Sequence, residues 1–332
     1  MKLSIHELSQ HQKGLTLIEL MVAMVVSMIV VLAATAALLV SRQGFTQIDA
    51  ASQLRDNAKF AETLIQRLAV QAGYRDVVFA ATPRPASTAG MTEEQPNVFG
   101  FNNRSRTESH RSHEANPNAR TSGSLAYGSD ILVLRFQSAA LESGGTTADS
   151  AVIDCAGHAP NATMKDRYAR YSSVFHIGIS NDGEPALMCT RWANANDQGT
   201  SSTQPLISGV ENFQVLYGVD GINGTDTDFA IADSVTDAYL RADQITVAGN
   251  DLLTLQRWQR VRSIRIGMVL RAAPGTAIGD TNVTMHPFGA DTAGAMFSSA
   301  NDPGTIFTPP NDGRLRQVVT FTIHLRNPQG DE

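Results

Sequence analysis

Few side chains in this sequence sit at spacings that chemistry could use. Cys155 and Cys189 are the only two cysteines. Two thiols cannot build a disulfide scaffold. With no C-x-x-C and no Cys/His ligand set beside them, a structural zinc site is not expected either. His110 and His113 form an H-x-x-H pair followed by Glu114, in ESHRSHEAN. Such a pair can hold a metal on a helix, but the surroundings are loop-like and no third ligand is identifiable, so a solvated loop is expected. Asp220, Asn223, Asp226 and Asp228 crowd the stretch DGINGTDTD, and their oxygens could collect Ca²⁺. The spacing is not that of an EF-hand, and the same residue types form turns, so a polar hairpin loop is the alternative. There is no G-x-S-x-G elbow, P-loop or H-E-x-x-H. His176 and His324 fall in strand-like runs, where a packed or surface imidazole is expected. Trp192 and Trp258 read as core or surface anchors. No enzymatic activity, metal or other cofactor is expected.

One further acid stands out by its position. Glu19 lies inside an apolar block over residues 15–40, LTLIELMVAMVVSMIVVLAATAALLV. At about 26 residues, or roughly 39 Å as a helix, the block can span a bilayer. Lys2 and Lys13 make the preceding segment the more basic flank, which predicts a cytoplasmic leader and an exported C-terminal bulk. An ordinary signal peptide is cleaved after its apolar region. Here the plausible processing point, Gly14, precedes it, so cleavage leaves the helix on the mature chain. A carboxylate at membrane depth costs roughly 2.5–3.5 kcal/mol or more, and something must offset that. After cleavage at Gly14, Glu19 lies one turn from the new amino terminus at Leu15, where an amine of a neighbouring chain could neutralise it. An interfacial acid favoured by the helix dipole is the plainer alternative.

The elements that must position these residues follow from periodicity. No proline occurs between Arg42 and Pro83, and Leu54, Ala58, Ala61, Ile65, Leu68 and Ala72 recur at spacings of four and three. They form one apolar stripe, so the second half of a long helix should pack on a globular domain. Gly73 is a natural C-cap, and Gly44 marks a possible flexible point. Residues 80–127 read as loop. Strands are expected over residues 130–136, 151–155, 174–179, 186–190, 210–219, 261–270 and 317–326. One long helix followed by many strands predicts an α+β fold, with a mainly antiparallel sheet packed on the helix. Cys155 follows one expected strand and Cys189 ends another. In an oxidising compartment the pair can bridge, closing a loop of about 35 residues for roughly 3–4 kcal/mol; two buried free thiols are the alternative. The charged share is 17% against 42% hydrophobic, which argues against a disordered chain. A net charge of −6 argues against a nucleic-acid binder, which would need a basic face, and no direct nucleic-acid partner is expected.

The run Lys13-Gly14-Leu15-Thr16-Leu17-Ile18-Glu19-Leu20 resembles the type IV prepilin processing site, with Leu15 where Phe is usual. Residues 53–74, 205–220, 261–271 and 313–327 are similar to segments of PilW-like minor pilins, and Cys155 and Cys189 sit where that family places its cysteine pair. The resemblance is weakest over residues 80–127 and 273–310. It implies cleavage after Gly14, N-methylation of Leu15 by the prepilin peptidase, and a role for Glu19 in subunit registration. The expected organisation is a leader at 1–14, a transmembrane or filament-core half-helix at 15–40, an amphipathic half-helix at 41–73 and an exported β-rich domain at 74–332. The expected partners are other major and minor pilins, the prepilin peptidase, the inner-membrane assembly platform and, before assembly, membrane lipid. The implied location is the inner membrane, with a periplasmic C-terminal domain, and then the pilus surface of a Gram-negative bacterium. The implied function is a minor pilin of an initiating or tip complex, with effects on motility, adhesion or DNA uptake. A minor pseudopilin of a type II secretion system and a membrane-anchored periplasmic enzyme or ligand-binding protein are the rivals.

Overall fold

A computed structural model describes residues 14–76, 78, 95–106, 112–160, 169–194, 198–222, 229–279, 281–289, 301–327 and 329. The chain divides into two compact units, one up to Asp49 and one from Ala50 onward. Helix α1, Leu17–Gln71, belongs to both and runs without a break through Gly44. It ends as the sequence predicts. Gly73 adopts φ +78°, and its N–H donates to the Arg135 carbonyl at 2.8 Å.

In the second unit, the predicted stripe of α1 is buried at every position, from Leu54 to Ala72, and Ala50 and Ala69 widen it. The strands form two antiparallel sheets rather than the single sheet the pattern suggests. The first has the order β1 (Val98–Phe101), β2 (Ile131–Phe136), β3 (Tyr171–Ile179), β4 (Pro185–Asn194) and β5 (Gln198–Ser208). The second has the order β7 (Ala238–Leu240), β6 (Val210–Val219), β8 (Val261–Arg271) and β9 (Arg316–His324). Two short helices, α2 (Ala242–Ile245) and α3 (Asp251–Trp258), lie between β7 and β8.

The two sheets share one stretch of chain. β5 passes into β6 through Gly209, at φ +82°, where a Cβ would lie 2.4 Å from the Arg271 carbonyl oxygen. Only glycine fits that corner, where the chain leaves one sheet and enters the other. Asp130 ties the sheets a second time. Its N–H donates to the Phe213 carbonyl at 2.8 Å, and its carboxylate accepts from Val215 N at 2.8 Å and Asn103 N at 2.9 Å. Leu132, Leu134, Phe175, Leu187, Phe213, Val215, Ile264 and Ile266 fill one core with the α1 stripe.

Several sequence expectations need correction. Residues 151–155 form an irregular segment that runs into a turn at Cys155, not a strand. β1, β5 and β7 were not expected: β1 and β7 are very short, and β5 is a Ser/Thr/Gln run with no apolar alternation. Its pairing is with the backbone of β4 and needs no apolar face.

Candidate functional site

The start of α1 is organised by a reciprocal pair. Thr16 precedes the helix, and its hydroxyl oxygen accepts from Glu19 N at 3.3 Å. In return, Glu19 Oε2 accepts from Thr16 N and from the Thr16 hydroxyl, each at 3.0 Å. This is a capping box, which satisfies two backbone donors that a helix start otherwise leaves without partners. The charge also lies in the first turn, where the helix dipole favours an anion. A T-x-x-E run before an apolar block is readable in the sequence, yet Glu19 alone drew attention there; Thr16 is the residue that the sequence reading passed over. Gly14 and Leu15 lie ahead of the helix and are exposed.

Beyond the cap, the first half of α1 meets no apolar partner among the described residues. Its large hydrophobic side chains are exposed all round, from 49% at Leu20 to 77% at Leu17. The helix is long and apolar enough to cross a membrane. Its interior hydroxyls bond within their own turns: Ser27 Oγ donates to the Met24 carbonyl at 2.8 Å, and Thr35 Oγ1 to the Val31 carbonyl at 2.9 Å. Neither presents an unsatisfied donor to apolar surroundings.

Cys155 and Cys189 form a disulfide, with Cα atoms 5.8 Å apart. Asp154 shapes the turn that delivers Cys155. Its Oδ1 accepts from Ala156 N and His158 N, both at 2.9 Å, while Cys155 N donates to Ser173 Oγ at 2.9 Å. Cys189 sits opposite Phe175 in the β3–β4 register.

Of the calcium candidates, Asp220 alone lies within the described residues. Asp220 is buried and faces Arg262 Nε at 3.2 Å, and it also accepts from Ser234 N at 2.9 Å. Its oxygens are engaged by a guanidinium and by backbone donors, which leaves it unsuited to a cation. Asn223, Asp226 and Asp228 lie outside the described residues. Among the described residues no group of three or more His, Cys, Asp or Glu could hold a metal ion.

The H-x-x-H expectation also needs correction. His110 lies outside the described residues, but His113 is buried, not solvated. Its Nδ1 lies 2.7 Å from Gln95 Oε1, and its ring meets Phe99 edge-on. Burial lowers its pKa to about 4, so at neutral pH it is an uncharged core side chain.

A dense ion cluster at one end of the two sheets escaped the sequence reading. Arg271 bridges Glu184 and Glu211, both at 2.7 Å. Arg316 bridges Glu211 and Asp312, again at 2.7 Å, and Arg314 meets Glu184 at 2.9 Å. Burial pushes Glu184 up, but the hydrogen bonds from Arg314 and Arg271 outweigh it and hold the carboxyl below its usual range. Except for Asp312 and Arg316, the partners lie far apart in sequence, and only their positions near strand ends hint at them.

Two family models match the chain. One, described as the prokaryotic N-terminal methylation motif, covers residues 9–35 and so takes in the processing site and the capped helix start. The other, described as type IV pilus-assembly protein W, covers residues 174–327, which spans most of β3 and every strand after it. Over these two segments the chain is similar to the type IV pilin and pilus-assembly family. Proteins of this family are structural rather than enzymatic, and assembly places them beside other pilins. A solved type IV-like pilin from Thermus thermophilus is similar at 14% identity and a TM-score of 0.39, over 83% of this chain and 98% of that one. No curated protein matches the sequence. The capped and exposed helix start thus carries the methylation-motif match, and the disulfide-bearing β domain carries the assembly-protein match.

Proposed function

We propose that this pilin-family chain is a minor pilin of an initiating or tip complex. The observation that carries the reading is the first half of α1: a fully exposed apolar helix whose lone acid caps its own first turn. In this account the prepilin peptidase cleaves after Gly14 and methylates the Leu15 amine. The helix first resides in the inner membrane with the β domain periplasmic, and the assembly platform then moves it into a bundle of similar helices. Both surroundings are apolar, so the transfer exposes little of the rod to water. Glu19 keeps its capping bonds in lipid, which offset part of the cost of a carboxylate there. In the filament, the amine of a neighbouring subunit neutralises it and fixes the register. Effects on motility, adhesion or DNA uptake then follow from the presence or absence of pili.

Two substitutions separate the capping role from the charge. Glu19→Gln keeps a capping acceptor and removes the charge, whereas Glu19→Ala removes both. Both variants should enter the membrane and be processed, and both should lose piliation in a strain that carries no other copy. Normal piliation with Glu19→Ala would overturn the proposed role. Mass spectrometry of the mature protein should find methylated Leu15 first, and an intact leader would overturn the processing site. Retained pili with lost protein secretion would point instead to a type II secretion pseudopilin.

A further inference from the structure

Among the described residues, the outer edge of β9 is a row of backbone donors and acceptors with no strand paired to it. β9 pairs with β8 over its full length without a bulge, from Ser263↔His324 to Arg271↔Arg316. At the two ends of the ladder, Leu325 N donates to the Arg262 carbonyl at 2.9 Å, and Ala272 N donates to the Leu315 carbonyl at 2.8 Å. Antiparallel pairing alternates, so these two bonds set the parity of the whole strand. Gln317, Val319, Phe321 and Ile323 exchange their bonds with β8. Val318, Thr320 and Thr322 turn their N–H and C=O groups the other way, and among the described residues nothing meets those groups. Thr320 and Thr322 are exposed.

The other edges of the two sheets are protected. β1 has four residues and β7 three. β5 carries Pro205, and its ladder with β4 is broken by register shifts. β9 has nine residues, no proline and no bulge, and its stretch QVVTFTI carries no charge. Soluble domains blunt such edges with short strands, prolines, bulges or charges, because an open edge recruits another strand. At the C-terminal end of β9, Arg326 is exposed and makes no ion pair among the described residues. At the other end, Arg314 and Arg316 are already neutralised by Glu184, Glu211 and Asp312.

We infer that β9 accepts an added strand from a different pilin-class subunit: an extended segment of about five to seven residues, uncharged and β-branched in its middle, with a carboxylate that meets Arg326. This inference rests on the minor-pilin reading. Backbone bonds to Val318, Thr320 and Thr322 hold the strand, and the Arg326 pair fixes its direction.

A photo-crosslinking residue in place of His324, in the full-length chain within native membranes, tests the inference. The expected product is an adduct with another pilin-class subunit, mapped to an extended segment that contains Asp or Glu. Thr322→Pro removes one outward N–H and leaves the β8 ladder intact. It should reduce the adduct roughly tenfold or more, while the Cys155–Cys189 bond and protease resistance stay as in the parent. If that variant fails to fold, Thr322→Lys, a charge on the edge, should produce the same loss. An adduct with a second copy of this chain, an adduct with lipid only, or an undiminished adduct in the folded variants would each overturn the inference. Piliation of the Glu19→Ala strain, scored in parallel, keeps the two readings apart. Lost piliation there with an undiminished Thr322-variant adduct sinks the added strand alone, and normal piliation sinks the minor-pilin reading on which it rests.

Discussion

The two halves of α1 share one backbone and one hydrogen-bonding pattern, yet their side chains meet opposite conditions. From residue 50 to residue 72, small and large apolar residues alternate along a single stripe, and the β domain covers all of it. From residue 15 to residue 40, apolar residues ring the whole circumference and all of them are exposed. A stripe can be satisfied by one partner surface. A ring needs a surrounding medium, either lipid or several neighbouring helices. The first half of the helix is therefore incomplete as a folded object, and its completion is the function proposed for it.

That contrast can be broken or sharpened by substitution, beginning with the largest expected effect on the β domain. Glu211 joins Arg271 to Arg316 within the buried ion cluster, so Glu211→Ala should destabilise the domain by about 3–5 kcal/mol in a denaturant titration, because two partly buried guanidiniums each lose one of their two carboxylate partners. In the helix, Ile65→Ala should cost about 2–5 kcal/mol, whereas Ile29→Ala should leave domain unfolding unchanged to within about 0.5 kcal/mol. Equal effects at the two positions would remove the distinction between stripe and ring. Cys155→Ser combined with Cys189→Ser should cost roughly 2–4 kcal/mol, again with no effect on membrane insertion.

The smallest effect depends on pH. Burial pushes the Asp302 carboxyl up to about 6, against the pull of Arg241 at 3.9 Å and a hydrogen bond from Asn102. An acid whose folded pKa is raised disfavours folding once it must ionise. That penalty is absent below the unfolded value of 3.8, grows as pH rises, and is complete above about 6. Asp302→Asn should therefore raise stability by about 1–3 kcal/mol at pH 7, with the gain fading to nothing by pH 4. His113 works with the opposite sign in the wild type. Its folded pKa of about 4 makes the protein less stable as pH falls below the unfolded value of 6.5. Thermal melts of the variant and the parent across this range isolate the Asp302 contribution, and a gain that persists at pH 4 would refute it.

Legibility in the sequence followed the range of the interaction. The stripe of α1, its Gly73 cap and the strands at 130–136, 174–179, 186–190, 210–219, 261–270 and 317–326 were readable because each is written in local periodicity or local turn chemistry. The helix start was half readable: the acid was visible, but its bond to Thr16 was not drawn from the T-x-x-E spacing. Residues 151–155 misled, since an apolar pair beside a cysteine looks like a strand when its Asx-type turn at Asp154 goes unrecognised. His113 was assigned to solvent because nothing in ESHRSHEAN tells that Phe99 and Gln95 will enclose it.

By itself the sequence determined the capped apolar rod, the single stripe and the supply of strands, because periods of 3.6 and 2 and the turn residues act over a few neighbours. Only the tertiary structure decided that the strands divide into two sheets at Gly209, that Cys155 meets Cys189, that three arginines and three acids converge from distant strands, and that β9 is left at an open edge. Those outcomes depend on which distant segments come together, and no local pattern encodes that choice.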